Sequence, residues 1–250
     1  KYISIFFKLI LYIGSLCITF NVFSQFNPQN IDSLKLWMNA SNINIGGDGK
    51  IDTLYDMSGN ENHAHQITSS KRPLNGLSEY QINGYSGINF DGSDDFLDLP
   101  LGSMPYQNYT LFAVVKPNNL NGPRTVISRA FSSAKCLFRF DNSNFYSYLN
   151  LTNQSIENLN FNQETAFLIC SNYDNSTRNL QVNQMTATQI TQTGIIDYNV
   201  TDLPVIGGLK KSNGATAHHF HGLIIEIILF EKSLSQSEID NIYEYLYQKY

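Results

Sequence analysis

Along most of the chain, short runs rich in β-branched and aromatic residues alternate with clusters of Asn, Gly, Asp and Ser. This is the rhythm of strands joined by turns, not of strands alternating with helices. The predicted strands are 34–40, 86–90, 109–116, 125–129, 136–140, 145–151, 166–173, 178–183, 203–206 and 220–230. Turn pairs lie between them, among them Asn83-Gly84, Asp91-Gly92, Asn121-Gly122, Gly207-Gly208 and Asn213-Gly214; such residues tolerate the positive φ of tight turns. Residues 111–115 and 223–230 are apolar at successive positions, as in central strands covered on both faces. Regular alternation puts Ile224, Ile228 and Phe230 on one face with Glu226, and Leu223, Ile225, Ile227 and Leu229 on the other. One pattern differs. Ser235 and Glu238 have the spacing of a capping box, Leu234 and Ile239 that of a hydrophobic staple. Ile239, Ile242, Tyr243 and Leu246 then recur at helical spacing, which predicts one C-terminal helix with a single buried face.

The first two dozen residues stand apart. Lys1 and Lys8 precede or enter an apolar run, 3–23, that contains no acid, and Val22 and Ser24 suit the −3 and −1 positions of a cleavage site. This predicts a signal peptide, 1–24, cut after Ser24. The alternative, an uncleaved anchor, rests on a run nearly long enough to span a bilayer; Ser15, Thr19 and Asn21 interrupt it. Residues 25–31 then form a short linker and 32–250 one domain, a length that suits a single generous sandwich. Beyond residue 24 there are 14 basic residues against 21 acidic ones, a balance that argues against nucleic acid as a partner. No membrane span remains after cleavage. Cys136 and Cys170 either form one bridge in an oxidising compartment or remain two buried thiols.

Three early segments appear in a telling order: 34–40 (Leu34-Lys35-Leu36-Trp37-Met38-Asn39-Ala40), 56–64 (beginning Asp56-Met57-Ser58-Gly59-Asn60) and 87–97 (Gly87-Ile88-Asn89-Phe90-Asp91-Gly92 to Leu97). Segments 109–117, 206–208 and 220–226 follow, leading to Leu234-Ser235 and the helix. This order resembles the laminin-G-like domains of the concanavalin A-like lectin and glucanase superfamily, common in secreted bacterial proteins, over residues 32–250. The resemblance implies an all-β fold: a concanavalin A-like jelly-roll β-sandwich of two antiparallel sheets with a short C-terminal helix. It says little about the ligand, because the architecture hosts lectins, adhesion modules, glucanases and spacers alike. The short polar side chains of 56–64 read as a structural loop in which Gly59 supplies a positive φ.

Asp91, Asp94, Asp95 and Asp98 are the densest acidic cluster; the resemblance makes calcium, a hard cation seeking oxygen ligands, the candidate cofactor there, with Asp94 and Asp95 foremost, and solvated acids without a metal are the alternative. Asp91-Gly92 itself reads as a hairpin turn, with Phe90, Phe96 and Leu97 facing the core. The histidines, His63 with His65 and His218, His219 with His221, show no spacing that demands zinc. Retaining glucanases of the superfamily carry Glu-x-Asp-x-x-Glu in a strand; Glu226 and Glu231 have the outer spacing, but Ile228 replaces the middle acid. In a regular strand residues five apart face opposite ways, so no catalytic residue is assigned and the chain is not predicted to be an enzyme. Tyr106, Tyr146, Tyr148, Tyr173 and Tyr198 lie in polar loops or alternate with polar neighbours, and stacking on such rings is the usual physics of sugar contact. The expected function is a secreted or cell-surface module that recognises carbohydrate, in adhesion or glycan capture, with a glycan or an extracellular protein as partner. A non-catalytic spacer is the alternative, and a polysaccharide-cleaving enzyme the third.

Overall fold

The computed structural model describes residues 26–76, 81–129, 136–149, 152–156, 159, 165–183, 187–196, 198, 202–211 and 213–250. The segment 1–24, read as a signal peptide, lies outside them. Twenty strands and one α-helix are found among the described residues. In chain order they are β1 (Leu34–Ile45), β2 (Ile51–Asp56), β3 (Ala64–His65), β4 (Leu74–Asn75), β5 (Gln81–Ile82), β6 (Tyr85–Ser86), β7 (Ile88–Asp91), β8 (Leu97–Asp98), β9 (Tyr109–Pro117) and β10 (Pro123–Arg129). There follow β11 (Cys136–Asp141), β12 (Asn144–Leu149), β13 (Thr152–Ile156), β14 (Phe167–Tyr173), β15 (Thr177–Val182), β16 (Thr188–Thr191), β17 (Pro204–Ile206), β18 (Leu209–Lys210), β19 (Thr216–Ala217), β20 (His221–Phe230) and the helix α1 (Gln236–Lys249).

One hydrogen-bonded path runs β13-β12-β11-β10-β17-β8-β3-β2-β1-β20-β9-β14-β15-β16, with β7 joined to β20 and β4 to β7. The fold is all-β with one C-terminal helix, as expected, but the described strands do not divide clearly into the two sheets of the predicted jelly roll: sixteen form one large, nearly closed sheet, and β5-β6 and β18-β19 are separate two-stranded pairs. The large sheet folds over on itself, because the apolar faces of both halves must share one core. Phe138, Phe140 and Phe145 of β11 and β12 pack with Leu111, Phe167, Ile169 and Leu180 of β9, β14 and β15, and the Phe140 and Phe167 rings lie 5.3 Å apart. The two end regions then meet through side chains. Gln154 Nε2 on β13 donates to Thr188 O on β16 at 2.7 Å, and Arg178 Nη2 on β15 donates to Thr152 O at 3.0 Å. Such bonds occupy edge groups that an open sheet would expose.

β20 departs from regular alternation. Ile224 pairs with Val115 and Glu226 with Val114, so Ile225 is an extra residue, a bulge against β9. The expected faces are therefore corrected: Ile224, Ile227 and Leu229 enter the core between the two halves, whereas Leu223, Ile225, Ile228 and Phe230 face the helix. Ser235 caps α1 as predicted, its hydroxyl accepting from Glu238 N at 3.4 Å while Glu238 Oε2 accepts from Ser235 N at 2.8 Å. Leu234 and Ile239 are both buried beside the cap. Ile242, Tyr243 and Leu246 then pack with Phe112, Val114, Leu168 and Ile228. Residues 26–31, expected as a linker, are docked: the Phe26 ring lies 6.3 Å from Tyr245, Gln29 Nε2 donates to Met57 O at 2.8 Å, and Ile31 is buried.

The loop 56–64 is structural, as read. Asp56 Oδ1 accepts from Trp37 N and Ser58 N, both at 2.9 Å, and Oδ2 from Asn62 N at 3.0 Å. Asn60 and Asn62 amides donate to Leu34 O and Lys35 O at 2.8 and 3.0 Å, and Gly59 has φ +91°. Cys136 and Cys170 are free and buried, Cys136 in the shared core and Cys170 in the cluster under α1. Of the two outcomes, the structure has two thiols.

Beneath α1, the carboxylate of Glu226 is 1% exposed and accepts five hydrogen bonds. The donors are Trp37 Nε1 at 2.6 Å, Asn39 Nδ2 at 2.9 Å, Tyr245 OH at 2.9 Å, Lys249 Nζ at 2.7 Å and Tyr250 OH at 2.5 Å. A buried carboxylate is tolerable only when so paired. Glu226→Gln should therefore destabilise the domain by about 3 kcal/mol, because it leaves the Lys249 ammonium without its partner and turns an amide N–H toward other donors. Urea denaturation followed by Trp37 fluorescence measures this; an unchanged midpoint would mean that apolar contacts alone dock the helix.

Candidate functional site

α1 covers the outer face of β20, β9 and β14, leaving the outer face of β11 and β12 free of it. There, alternation sends Phe138, Phe140, Phe145 and Leu149 into the core and leaves Arg139, Tyr146 and Tyr148 half-buried on the outside. Arg139 and Tyr146 are register partners. The two tyrosine rings lie 5.9 Å apart with 32° between their planes. The Arg139 guanidinium stands 5.0 Å from the Tyr148 ring centre and 5.9 Å from that of Tyr146. Its Nη2 donates to Tyr148 OH at 2.9 Å and lies 3.7 Å from Asp141 Oδ2, while its Nε is buried without a hydrogen-bond partner. Asn144 Nδ2 donates to Tyr146 OH at 3.3 Å. Nearby, burial first and the Arg139 charge second lower the pKa of His218 below that of a free imidazole. The result is a pair of tilted aromatic rings with a cation over them, a surface able to contact a sugar ring and to donate to its oxygens.

A second pair, Tyr106 and Tyr198, has ring centres 5.4 Å apart. Arg129 lies 3.9 Å from the Tyr198 ring and 5.2 Å from that of Tyr106, and its Nη2 donates to Tyr106 OH at 3.3 Å. Tyr106 is 45% exposed, as expected. Tyr198 is not an open ring: it packs against the core with its hydroxyl buried. Tyr173 is also corrected, being wholly buried, with its hydroxyl donating to Gly194 O at 2.5 Å and its ring 5.9 Å from Tyr109. Every residue of β14 is buried, so polar neighbours there do not mark an exposed side.

Asp91, Asp94 and Asp95 come together, with one carboxylate oxygen of each within 4.8 Å of the others. Asp91 Oδ1 accepts from the backbone N of Ser93, Asp94 and Asp95 at 2.8, 3.3 and 3.5 Å, and Asp95 Oδ2 accepts from Asp91 N at 3.0 Å. The segment is not a hairpin, because β7 pairs with β20 and β4 whereas β8 pairs with β17 and β3; it carries the chain between two regions of the sheet. Asp98 leaves the cluster, its carboxylate paired with Lys210 Nζ. Burial, and then the charges of Asp91 and Asp94, push the pKa of Asp95 up to about 7, against the opposing effects of the Asp91 amide and Lys50. Burial opposes ionisation of Asp91 too, but the three amides outweigh it and hold its pKa below the usual value. Three carboxylates with no thiol or imidazole among them suit a hard cation such as calcium.

The remaining candidates stay apart. His63 Nδ1 accepts from Asp56 N at 3.0 Å, His65 Nδ1 lies 3.1 Å from Thr53 Oγ1, and His219 Nδ1 lies 3.2 Å from Asp95 O. Glu226 is buried beneath α1, and Glu231 pairs at the surface with Lys35 at 3.1 Å, so the two acids do not flank a cleft. The residues that sequence reasoning missed are the partners of the tyrosines, Arg129 and Arg139, which become visible only when strand register is known.

An antiparallel sheet wrapped round one core, closed by one C-terminal helix, defines a concanavalin A-like domain. The family model described as Laminin_G_3, of the concanavalin A-like lectin/glucanases superfamily, matches residues 91–240, and the chain belongs to that family. No curated protein matches it. Among solved structures, domain 4 of AbnA, an extracellular arabinanase of Geobacillus stearothermophilus in complex with arabinotriose, is similar at TM-score 0.58 and 14% identity, over 84% of this chain and 98% of that one. The CBM40 domain of the Ruminococcus gnavus IT-sialidase bound to α2,3-sialyllactose is similar at TM-score 0.52 and 16% identity, over 62% and 95%. The receptor-binding domain of botulinum neurotoxin type G is similar at 0.54 and 16%, over 85% and 51%, so the chain spans about half the length of that domain. At these identities the likeness shows the fold.

The raised pKa of Asp95 has a pH signature. The folded state holds a proton that the unfolded chain releases near 3.8, so stability should fall as pH rises from about 4 to about 7 and then level off. Asp95→Asn keeps an acceptor for Asp91 N and removes this loss. Its melting temperature should exceed that of the parent at pH 8 and match it near pH 4; equal melting curves at both pH values would contradict the assignment.

Proposed function

We propose that the protein is a secreted or cell-surface carbohydrate-binding module, and that the sugar stacks on Tyr146 and Tyr148 beside Arg139. The observation that carries this reading is the arginine itself: on the outer face of β11 and β12 its guanidinium lies over two half-buried tyrosine rings. Rings and a guanidinium together offer stacking and charge-assisted donors to a sugar hydroxyl or carboxylate. Structures of like fold that hold sialyllactose or arabinotriose support the same chemistry. Hydrolysis is not part of the proposal, since Glu226 is committed to five donors and Glu231 to Lys35. Among the described residues no helix is long and apolar enough to cross a membrane.

Tyr148→Ala should weaken binding to the best carboxylate-bearing ligand of a glycan array by about tenfold, or ~1.4 kcal/mol, through lost stacking. Arg139→Leu should weaken binding most for sugars that carry a carboxylate. Uniform absence of binding, with and without calcium, would favour a structural spacer.

Calcium, in this proposal, is held by Asp91, Asp94 and Asp95 and steadies the crossing segment. A cation bound only by the folded state raises the melting temperature by mass action. Saturating Ca²⁺ should therefore raise it in the parent and leave the Asp94→Ala, Asp95→Ala double variant unchanged. Identical melting of the parent in chelator and in calcium would remove the metal.

A further inference from the structure

Across the shared core from the tyrosine platform, α1 covers the outer face only in part. Its buried residues reach β20, β9 and β14, while on β15 and β16 the same face carries Asn179, Gln181 and Gln189 beside Thr177 and Thr191. Asn172, Asn179 and Gln189 are register partners across three strands, and Gln189 Nε2 donates to Asn179 Oδ1 at 3.0 Å. With Gln181 and, from the first turn of α1, Gln236, they line a cavity of about 300 Å³ that Ile239, Cys170 and Ala187 complete. No charged side chain lines it.

Two of these amides are held from behind. Asn172 Oδ1 accepts from Thr110 Oγ1 at 3.1 Å and from Ser233 Oγ at 2.8 Å, and its Nδ2 donates to Leu234 O at 3.1 Å. Gln181 Oε1 accepts from Tyr243 OH at 3.0 Å. Asn179 Nδ2 and Gln181 Nε2 have no hydrogen-bond partner among the described residues.

Each amide offers both a donor and an acceptor without net charge. A charged ligand would lose water there and meet no countercharge, whereas a ligand of hydroxyl groups exchanges its water for matching partners. The volume lies at the small end of the roughly 300–1,000 Å³ of small-molecule sites. We infer that this amide-lined cavity is a second binding site, specific for a neutral oligosaccharide and separate from the Tyr146–Tyr148 platform. The inference rests on the carbohydrate-binding reading and adds to it a place and a substrate class.

The test uses the full chain and an array of neutral pentose and hexose oligosaccharides, followed by titration calorimetry with the best neutral ligand and with 3′-sialyllactose. Asn179→Ala combined with Gln189→Ala should weaken the neutral sugar at least tenfold and leave the sialylated one unchanged. Tyr148→Ala should do the reverse. Gln236→Ala, at an exposed helix position, should reproduce a milder loss without disturbing the sheet, and unchanged melting temperatures show that the variants fold. Neutral binding that survives the amide substitutions but is lost in Tyr148→Ala would overturn the second site and keep the platform. A parent chain that binds only sialylated sugars would also overturn it. Failure to bind any member of the array or 3′-sialyllactose would remove the carbohydrate-binding reading together with the inference.

Discussion

The carboxylate of Glu226 is the constraint around which the rest is arranged. A charge that is 1% exposed must be solvated by the protein itself, and its five donors come from two distant parts of the chain: Trp37 and Asn39 on β1, and Tyr245, Lys249 and Tyr250 at the end of α1. Apolar burial would let a helix slide along a greasy face, since it has no direction. Hydrogen bonds to one carboxylate have direction, and they allow one position. That position decides which surface is covered and which remains available. The helix lies over β20, β9 and β14, so the amides of β15 and β16 border it and the rings of β12 lie away from it.

The bulge at Ile225 serves the same end. Without the extra residue, Glu226 would share a face with Ile224, which enters the shared core. The insertion turns Glu226 toward the helix and keeps apolar residues on both sides of β20. Asp56 plays a similar part for β1 and β2, gathering Trp37, Ser58 and Asn62 amides about one acid. Two buried acids thus position the strand that carries Trp37, one from each side.

The long apolar strands, the helix cap and the loop around Asp56 were legible in the sequence, because each depends on residues near one another along the chain. Ser235 with Glu238, and Gly59 among short polar residues, signal locally. What depends on register was not legible. Tyr173 alternates with polar neighbours yet is buried, because Ser171 and Asn172 are satisfied inside the structure by Tyr109, Thr110 and Leu234. Asp98 sits three residues beyond Asp95 and yet answers to Lys210, on a strand more than a hundred residues later. β13, with Asn153, Gln154 and Ser155 among its five residues, carries no hydrophobic period, and the two-residue strands are too short to have one.

The two buried thiols mark different depths of the molecule. Cys136 lies in the shared core, its thiol pushed up to about 11 by burial; Cys170 lies under α1, its thiol raised further by the same cause. Neither is a reactive thiolate while the fold is intact. Cys170 also borders the amide-lined cavity beside the helix, whereas Cys136 is enclosed by the sheet itself. These two thiols of the described residues therefore act as native clocks of different depth: a thiol-modifying reagent should label Cys170 first, as the helix edge loosens, and Cys136 only when the core is lost.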